Sequence, residues 1–419
     1  MNTHASSPHA SRVEPAVIVV LAGMAAALHV AKLPPAVPIL QQALGLDLVS
    51  AGFLLSLVQL AGMTLGLLVG LSVDTVGLRR SMLWGLGLLT LASACGGWAT
   101  SVSALMVWRA LEGFGFLWVV MPAPALIRCT VDAAHMQARM GLWGAYMPSG
   151  SALALLMGPL VMAVLSWQVW WWLLSLATAL AACAVWRWVP PIGSGHVGVA
   201  KSAPASHNLW QRRLRLTLSH GGPWWIALCF AVYSAQWLAV IGFLPTIYTE
   251  MGLGPTLTGV LSACVALANV TGNVLSGRLL QRGWPAHRLL HIGFACMALG
   301  AVGAFGEWGE WGDAWPLGLR FVSVVLFSAI GGLIPGTLFS MAVRLAPDDA
   351  TVSTTVGFMQ QWSAFGQFAG PPMVAWVAAQ MGSWAWTWTV TSAMCVVGAW
   401  LAWRVADALR RKAVQTSPT

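Results

Sequence analysis

The chain has 419 residues, of which 58% are hydrophobic and only 8% charged. A soluble domain carries roughly a quarter charged residues, so this composition excludes a water-covered globular surface and requires one that faces lipid. The formal net charge of +9 does not argue for nucleic acid, because the basic residues are distributed as cytoplasmic loops of membrane proteins distribute them.

Residues 1–14 form a polar tail without a cleavable signal pattern. Apolar stretches then follow at 15–34, 48–73, 81–99, 103–127, 138–165 and 168–189. A second series lies at 223–248, 255–278, 288–306, 315–343, 352–380 and 384–404. Each has about the length that a bilayer core needs. Glycine and proline inside them are tolerated, since neighbouring helices satisfy the backbone groups they free. The predicted organisation is a tail (1–14), a six-helix bundle (15–189), a linker loop (190–222), a second six-helix bundle (223–404) and a tail (405–419). The linker is rich in Gly, Ser, Pro and Ala and ends in a basic amphipathic piece, LWQRRLRL. That piece reads either as a topogenic charge cluster or as a segment lying on anionic lipid.

With both termini inside, every Lys and Arg except Lys32, Arg109 and Arg320 falls on the inner side, while Asp47, Glu250, Glu307, Glu310 and Asp313 fall outside. The tryptophan clusters at 166–172, at Trp308, Trp311 and Trp315, and at 384–388 mark outer boundaries, where amphipathic rings prefer to sit. The seven cysteines lie in or beside apolar stretches without metal-ligand spacing, and read as packing residues.

The two halves can be superposed. Residues 44–70 match 251–277 at a constant offset, which aligns Gly45, Gly52 and Gly70 with Gly252, Gly259 and Gly277. At a nearly equal offset Leu33-Pro34 meets Leu244-Pro245, Arg109 meets Arg320, Pro124 meets Pro335, and Gly158-Pro159 meets Gly370-Pro371. Duplicated halves of this kind place a solute site between them near the bilayer midplane.

Three motifs stand in this frame. After the second stretch come Gly70, Asp74, Gly77, Arg79 and Arg80: a close-packing glycine, a boundary acid, a turn glycine and an anchoring basic pair. Arg109, Glu112, Gly113 and Gly115 lie in the fourth stretch, and Gly158-Pro159 in the fifth. Together they resemble the signature loop, the arginine–glycine motif and the antiporter glycine–proline motif of the major facilitator superfamily. The last departs from the pattern at Ala154 and Ala163-Val164. Stretches 29–38, 236–253 and 266–283 are similar to the bacterial permease group that contains cyanate and 2-nitroimidazole transporters. The resemblance implies an all-α membrane protein with twelve helices in two pseudosymmetric bundles and a central cavity. It also implies that the signature loop latches the halves on the cytoplasmic side when the outer side is open. The second copy of that loop has Gln281 where an acid would stand, so a symmetric latch is not expected.

Ionised groups inside a membrane are costly unless paired or facing water, so they are candidate functional residues. Glu112 lies one helical turn from Arg109. On one reading, Arg109 and Arg320 face the cavity and attract an anionic solute, while Glu112 pairs with Arg109 and carries a coupling proton. On the other, Arg109 and Glu112 form a structural pair and Arg320 reaches the outer interface. His29 and Lys32, near the outer end of helix one, either extend a positive access path, with His29 titrating, or form an interfacial end before Pro34. Tyr146, Gln236, Asn269, Asn273 and Gln360 are uncharged groups that either orient a solute or bond neighbouring helices.

These readings give a secondary transporter of a small organic anion or small polar compound in a bacterial inner membrane. It would work as a monomer by alternating access, with no cofactor or metal beyond coupling protons and no nucleic-acid partner. A drug or metabolite exporter on the same fold is the nearest rival. A membrane-embedded enzyme or sensor is more distant, since no HExxH, Gly-x-Ser-x-Gly or phosphate loop occurs. Replacing Arg109 with Gln is expected to abolish uptake of an anionic solute and leave the protein folded.

Overall fold

The computed structural model describes residues 14–132, 139, 142–191, 208–307, 315–348 and 351–416. The tail up to residue 13, linker residues 192–207, and Trp308, Glu310, Trp311 and Asp313 lie outside the described residues.

The first half comprises α1 (Pro15–Leu44), α2 (Leu48–Ser56, a 3-10 turn at Leu57–Gln59, then Leu60–Val76), α3 (Leu78–Gly96), α4 (Val102–Thr130), α5 (Leu142–Met162) and α6 (Trp167–Trp188). The second comprises α7 (Gly221–Glu250), α8 (Pro255–Gln281), α9 (Ala286–Phe305), α10 (Leu317–Leu345), α11 (Val352–Met381) and α12 (Trp384–Lys412). Ten of them have both the length and the hydropathy to cross a bilayer. The other two, α3 and α11, have the length, but Arg79 and Arg80 in one and Gln360, Gln361 and Gln367 in the other dilute their apolar character. Side chains that accept backbone amides start several helices. Asp47 takes the amide of Ser50 at 2.9 Å ahead of α2, and Ser101 takes that of Ala104 at 3.2 Å ahead of α4.

Three boundaries differ from the sequence expectation. The first span does not stop at Pro34. Pro34–Ala36 forms a 3-10 turn and the helix resumes at Val37–Leu44, because proline is tolerated at the first positions of a helix, where its missing amide has no intrahelical role. His29 and Lys32 consequently lie in the middle of a 30-residue span rather than at its outer end. The linker contains an amphipathic helix, Asn208–Ser219. The final helix runs on to Thr416, through most of the stretch expected to be a tail from 405.

Both halves repeat one packing scheme. In the first, α3 packs on α4 and α6, and α1 on α5 and α6; in the second, α9 packs on α10 and α12, and α7 on α11 and α12. The glycine–proline pairs serve this scheme. A Cβ on Gly158 would stand 2.6 Å from Cγ of Pro35 on α1, and one on Gly370 would overlap the Ala235 carbonyl on α7. The halves meet where α2 crosses α11 and α5 crosses α8, and where α7 meets the Pro34–Ala36 turn.

The side carrying the start of α1, the linker helix and the end of α12 is the terminal side; the opposite one is the far side. Contacts between halves gather on the far side. Gly52 abuts the Pro371–Pro372 backbone, Gly259 the Leu155 and Leu156 carbonyls, and Gly242 the Leu55 side chain. Along α2 toward the terminal side, a Cβ on Gly62 would still touch Ala364 at 3.2 Å, but one on Gly66, a turn later, would meet nothing within 4 Å. The two bundles are closed at the far side.

Candidate functional site

Proline sets up the first-half site. A helical Pro34 has no amide to give the carbonyl of Val30 four residues earlier. Arg109 on α4 fills that vacancy: its Nη2 donates to Val30 O at 3.0 Å and its Nε to Leu54 O on α2 at 3.2 Å. Its Nη1 donates to His29 O and, at 2.9 Å, to Glu112 Oε2. Lys32 completes the group by pairing with Glu112 Oε1 and donating to Ser93 Oγ on α3 at 3.0 Å, with its ammonium 4.5 Å from the centre of the Trp171 ring on α6. Ser93 Oγ in turn donates to the Trp171 carbonyl at 2.9 Å.

His29, Lys32, Arg109 and Glu112 are all 2% exposed or less. The cluster holds two cations against one carboxylate, a surplus that a low-dielectric interior opposes. His29 adds an imidazole whose nitrogens have no hydrogen-bond partner; its Nδ1 lies 3.8 Å from Glu112 Oε1. The cluster stands directly behind the Leu57–Gln59 turn of α2, which α4 packs against through Gly113.

On the other side of that turn lies the seam between halves. Gln59 Nε2 donates to Gln367 Oε1 on α11 at 3.0 Å, Gln367 Nε2 to Ser363 Oγ at 3.2 Å, and Ser363 and Ser234 on α7 share a bond of 2.7 Å. Gln361 Nε2 also reaches the Met63 carbonyl across the seam at 2.8 Å. This uncharged chain ties α2 of the first half to α11 and α7 of the second. Gln59 escaped the sequence reading because one amide in an apolar stretch looks like any interhelical bonding group; its partner is 308 residues away.

The remaining candidates do not join the charged cluster. Arg320 is half-buried and its Nε donates to the Ala304 carbonyl at 2.7 Å within the second half. Asn269 Nδ2 bonds both Tyr233 Oη and Ser328 O at 2.9 Å, and Asn273 Nδ2 bonds Asn269 Oδ1 at 3.0 Å, joining α7, α8 and α10. Gln236 faces α12, where its Oε1 receives the Cys395 thiol at 3.2 Å. Tyr146 stacks on Trp143 with centroids 4.1 Å apart, and both rings lie over Gly23 of α1. Gln360 is exposed. In the signature stretch Gly70 and Asp74 belong to the last turns of α2, and their side chains lie outside the described residues. Gly77 turns the chain at φ +95°, Arg79 Nη2 bonds the Trp186 carbonyl at the end of α6, and Arg80 is exposed.

A sequence profile described as Major Facilitator Superfamily matches residues 16–371 and 226–418. The chain belongs to that superfamily. Among curated relatives, this facilitator is 26% identical to the cyanate transport protein CynX of Escherichia coli (strain K12), over 71% of its own length and 72% of the relative's. It is 25% identical to the 3-(3-hydroxy-phenyl)propionate transporter of the same organism, over 58% of each chain. Its fold matches a bacterial homolog of the human lysosomal transporter Spinster in an inward-facing, occupied conformation, with TM-score 0.77 and 13% identity over 97% of this chain and 99% of that one. A D-xylose–proton symporter matches with TM-score 0.73 and 15% identity over 93% and 97%. The facilitator is therefore a twelve-helix membrane transporter of a small solute and not an enzyme.

Proposed function

We propose that this facilitator carries a small monovalent anion, of the class of small organic anions and anionic polar compounds, by alternating access coupled to protons. The observation that carries the reading is the buried cluster with two cations, one carboxylate and an unpartnered imidazole. An anion entering the seam beside Gln59 relieves the surplus positive charge behind it. The relieved site then tolerates a proton on His29. Each ligand thus eases the arrival of the other, which is the linkage that coupling requires. The solutes for which the two curated relatives are named, cyanate and a hydroxyphenyl propionate, are both anions at neutral pH, and this supports the class.

In this reading the protein is a monomer in the bacterial inner membrane, with the terminal side in the cytoplasm and no nucleic-acid partner. The placement of Arg79, Arg80, Arg212, Arg213, Arg410 and Arg411 on that side supports the orientation. The described state is then closed outside, and transport rocks the halves about the α2–α11 and α5–α8 seams.

The test is uptake of cyanate and of an aryl propionate into proteoliposomes under an imposed pH gradient. Wild-type protein takes up at least one of them and responds to the gradient. His29→Asn removes a side chain with no hydrogen bond, so it keeps counterflow but loses the gradient response. Unchanged gradient-driven uptake by His29→Asn would remove His29 from coupling. Uptake of neither anion would remove the anion reading. Single-cysteine labelling at Gln211, reactive only from the inner face, checks the orientation.

A further inference from the structure

A second concentration of positive charge lies away from the seam, on the terminal-side rim of the second bundle. After α8 the chain turns through Gly283 at φ +84° and enters α9. The ends of α10 and α12 come alongside, and a cavity of about 390 Å³ opens among the three helices. Small-ligand sites start at about that size. Its wall includes His287, His291, Arg344, Arg410, Trp403 and Leu409.

Arg344 and Arg410 are exposed, and neither is within ion-pair distance of a carboxylate among the described residues. The nearby acid on α12, Asp407, is held by Arg411 at 2.8 Å. Among the described residues, two guanidinium groups thus stand on one cavity without a paired carboxylate. The same helices also expose apolar side chains: Ile292 and Leu299 on α9, Val343 on α10, and Val396, Trp400 and Trp403 on α12. The cavity therefore joins a cationic mouth to helices with exposed apolar side chains.

We propose that this pocket binds the phosphate headgroup of an anionic phospholipid. Arg344 and Arg410 take the phosphate oxygens, since planar guanidinium forks match phosphate in geometry and charge. Trp403 covers the glycerol region, at the depth where indole rings concentrate, and the exposed apolar side chains receive the acyl chains. A soluble phosphate ester would satisfy the arginines but gain nothing from these side chains, so their presence favours the lipid.

Native mass spectrometry of the purified full chain, titrated with phosphatidylglycerol or phosphatidylcholine of matched acyl chains, tests this. Phosphatidylglycerol is expected to form a saturable adduct in preference to phosphatidylcholine. The double variant Arg344→Gln/Arg410→Gln should weaken that adduct roughly thirty-fold. Arg212→Gln/Arg213→Gln on the linker helix should leave it unchanged, which separates a built site from general surface charge. Melting of both variants in lipid-free detergent at the wild-type temperature verifies folding. Equal binding of the two lipids, or an adduct that survives Arg344→Gln/Arg410→Gln in folded protein, would overturn the proposal. So would displacement of the lipid by glycerol phosphate at equal concentration, which would make the ligand a soluble ester.

Discussion

The two halves share a backbone plan but not an interior. Arg109 of α4 sits in a fully buried network with Glu112, Lys32 and three backbone carbonyls, whereas its repeat mate Arg320 of α10 is half-buried and holds a single carbonyl. At the same offset, Lys32 corresponds to Phe243, His29 to Val240 and Glu112 to Ser323. The second half fills its own interior with the neutral group of Tyr233, Asn269, Asn273 and Ser328. Helix packing, carried by glycines and apolar faces, is thus separable from charge placement. The first half buries a charged group and the second a neutral, hydrogen-bonded one.

Substitutions sharpen this contrast. The largest loss is expected for Glu112→Gln, which leaves Lys32 and Arg109 buried without a carboxylate. Breaking such a group costs about 3–5 kcal/mol, whereas Ser323→Ala should stay within about 0.5 kcal/mol. Thermal unfolding in detergent measures both, and equal losses would dissolve the distinction between halves. Arg109→Gln comes next at about 3 kcal/mol, because it frees the carbonyls of His29, Val30 and Leu54 while the Lys32–Glu112 pair survives. The folded, inactive protein that the sequence suggested for this variant is therefore expected only at reduced temperature. Arg320→Gln should cost about 1 kcal/mol, one hydrogen bond. Asn269→Ala should cost about 1 kcal/mol, in the range of interhelical bonds in membranes, with transport retained. The smallest effect concerns Asp47. The hydroxyl and amide of Ser50 hold its carboxyl below the usual aspartate range. Because the folded value is the lower one, the cap contributes at neutral pH and is lost as pH falls through that value. Asp47→Asn should flatten only the acid limb of a stability–pH curve.

Much of this was legible in the sequence. Single charges in apolar stretches pointed to Arg109, Glu112, His29 and Lys32, because a membrane interior makes each such residue conspicuous. The stretches at 81–99 and 352–380, which form most of α3 and α11, are legible as apolar runs. Partnership was not legible: Lys32 and Glu112 are 80 residues apart, and only the packing of α1 on α4 joins them. Pro34-Pro35 also misled, because a proline pair ends most helices but here begins a new turn of the same span. The pairing of the seam amides, like that of Lys32 with Glu112, is also not legible. Gln59 and Gln367 belong to different halves, and no local pattern relates them.

The bond between Arg109 and the Val30 carbonyl ties the fate of two distant codons. Restoring an amide at position 34 would let that oxygen bond within its own helix and take from the guanidinium one of its four partners. Losing the arginine would strand the oxygen that the proline left vacant. Loss of the arginine is thus the costlier of the two changes, since it leaves an oxygen that the proline cannot serve.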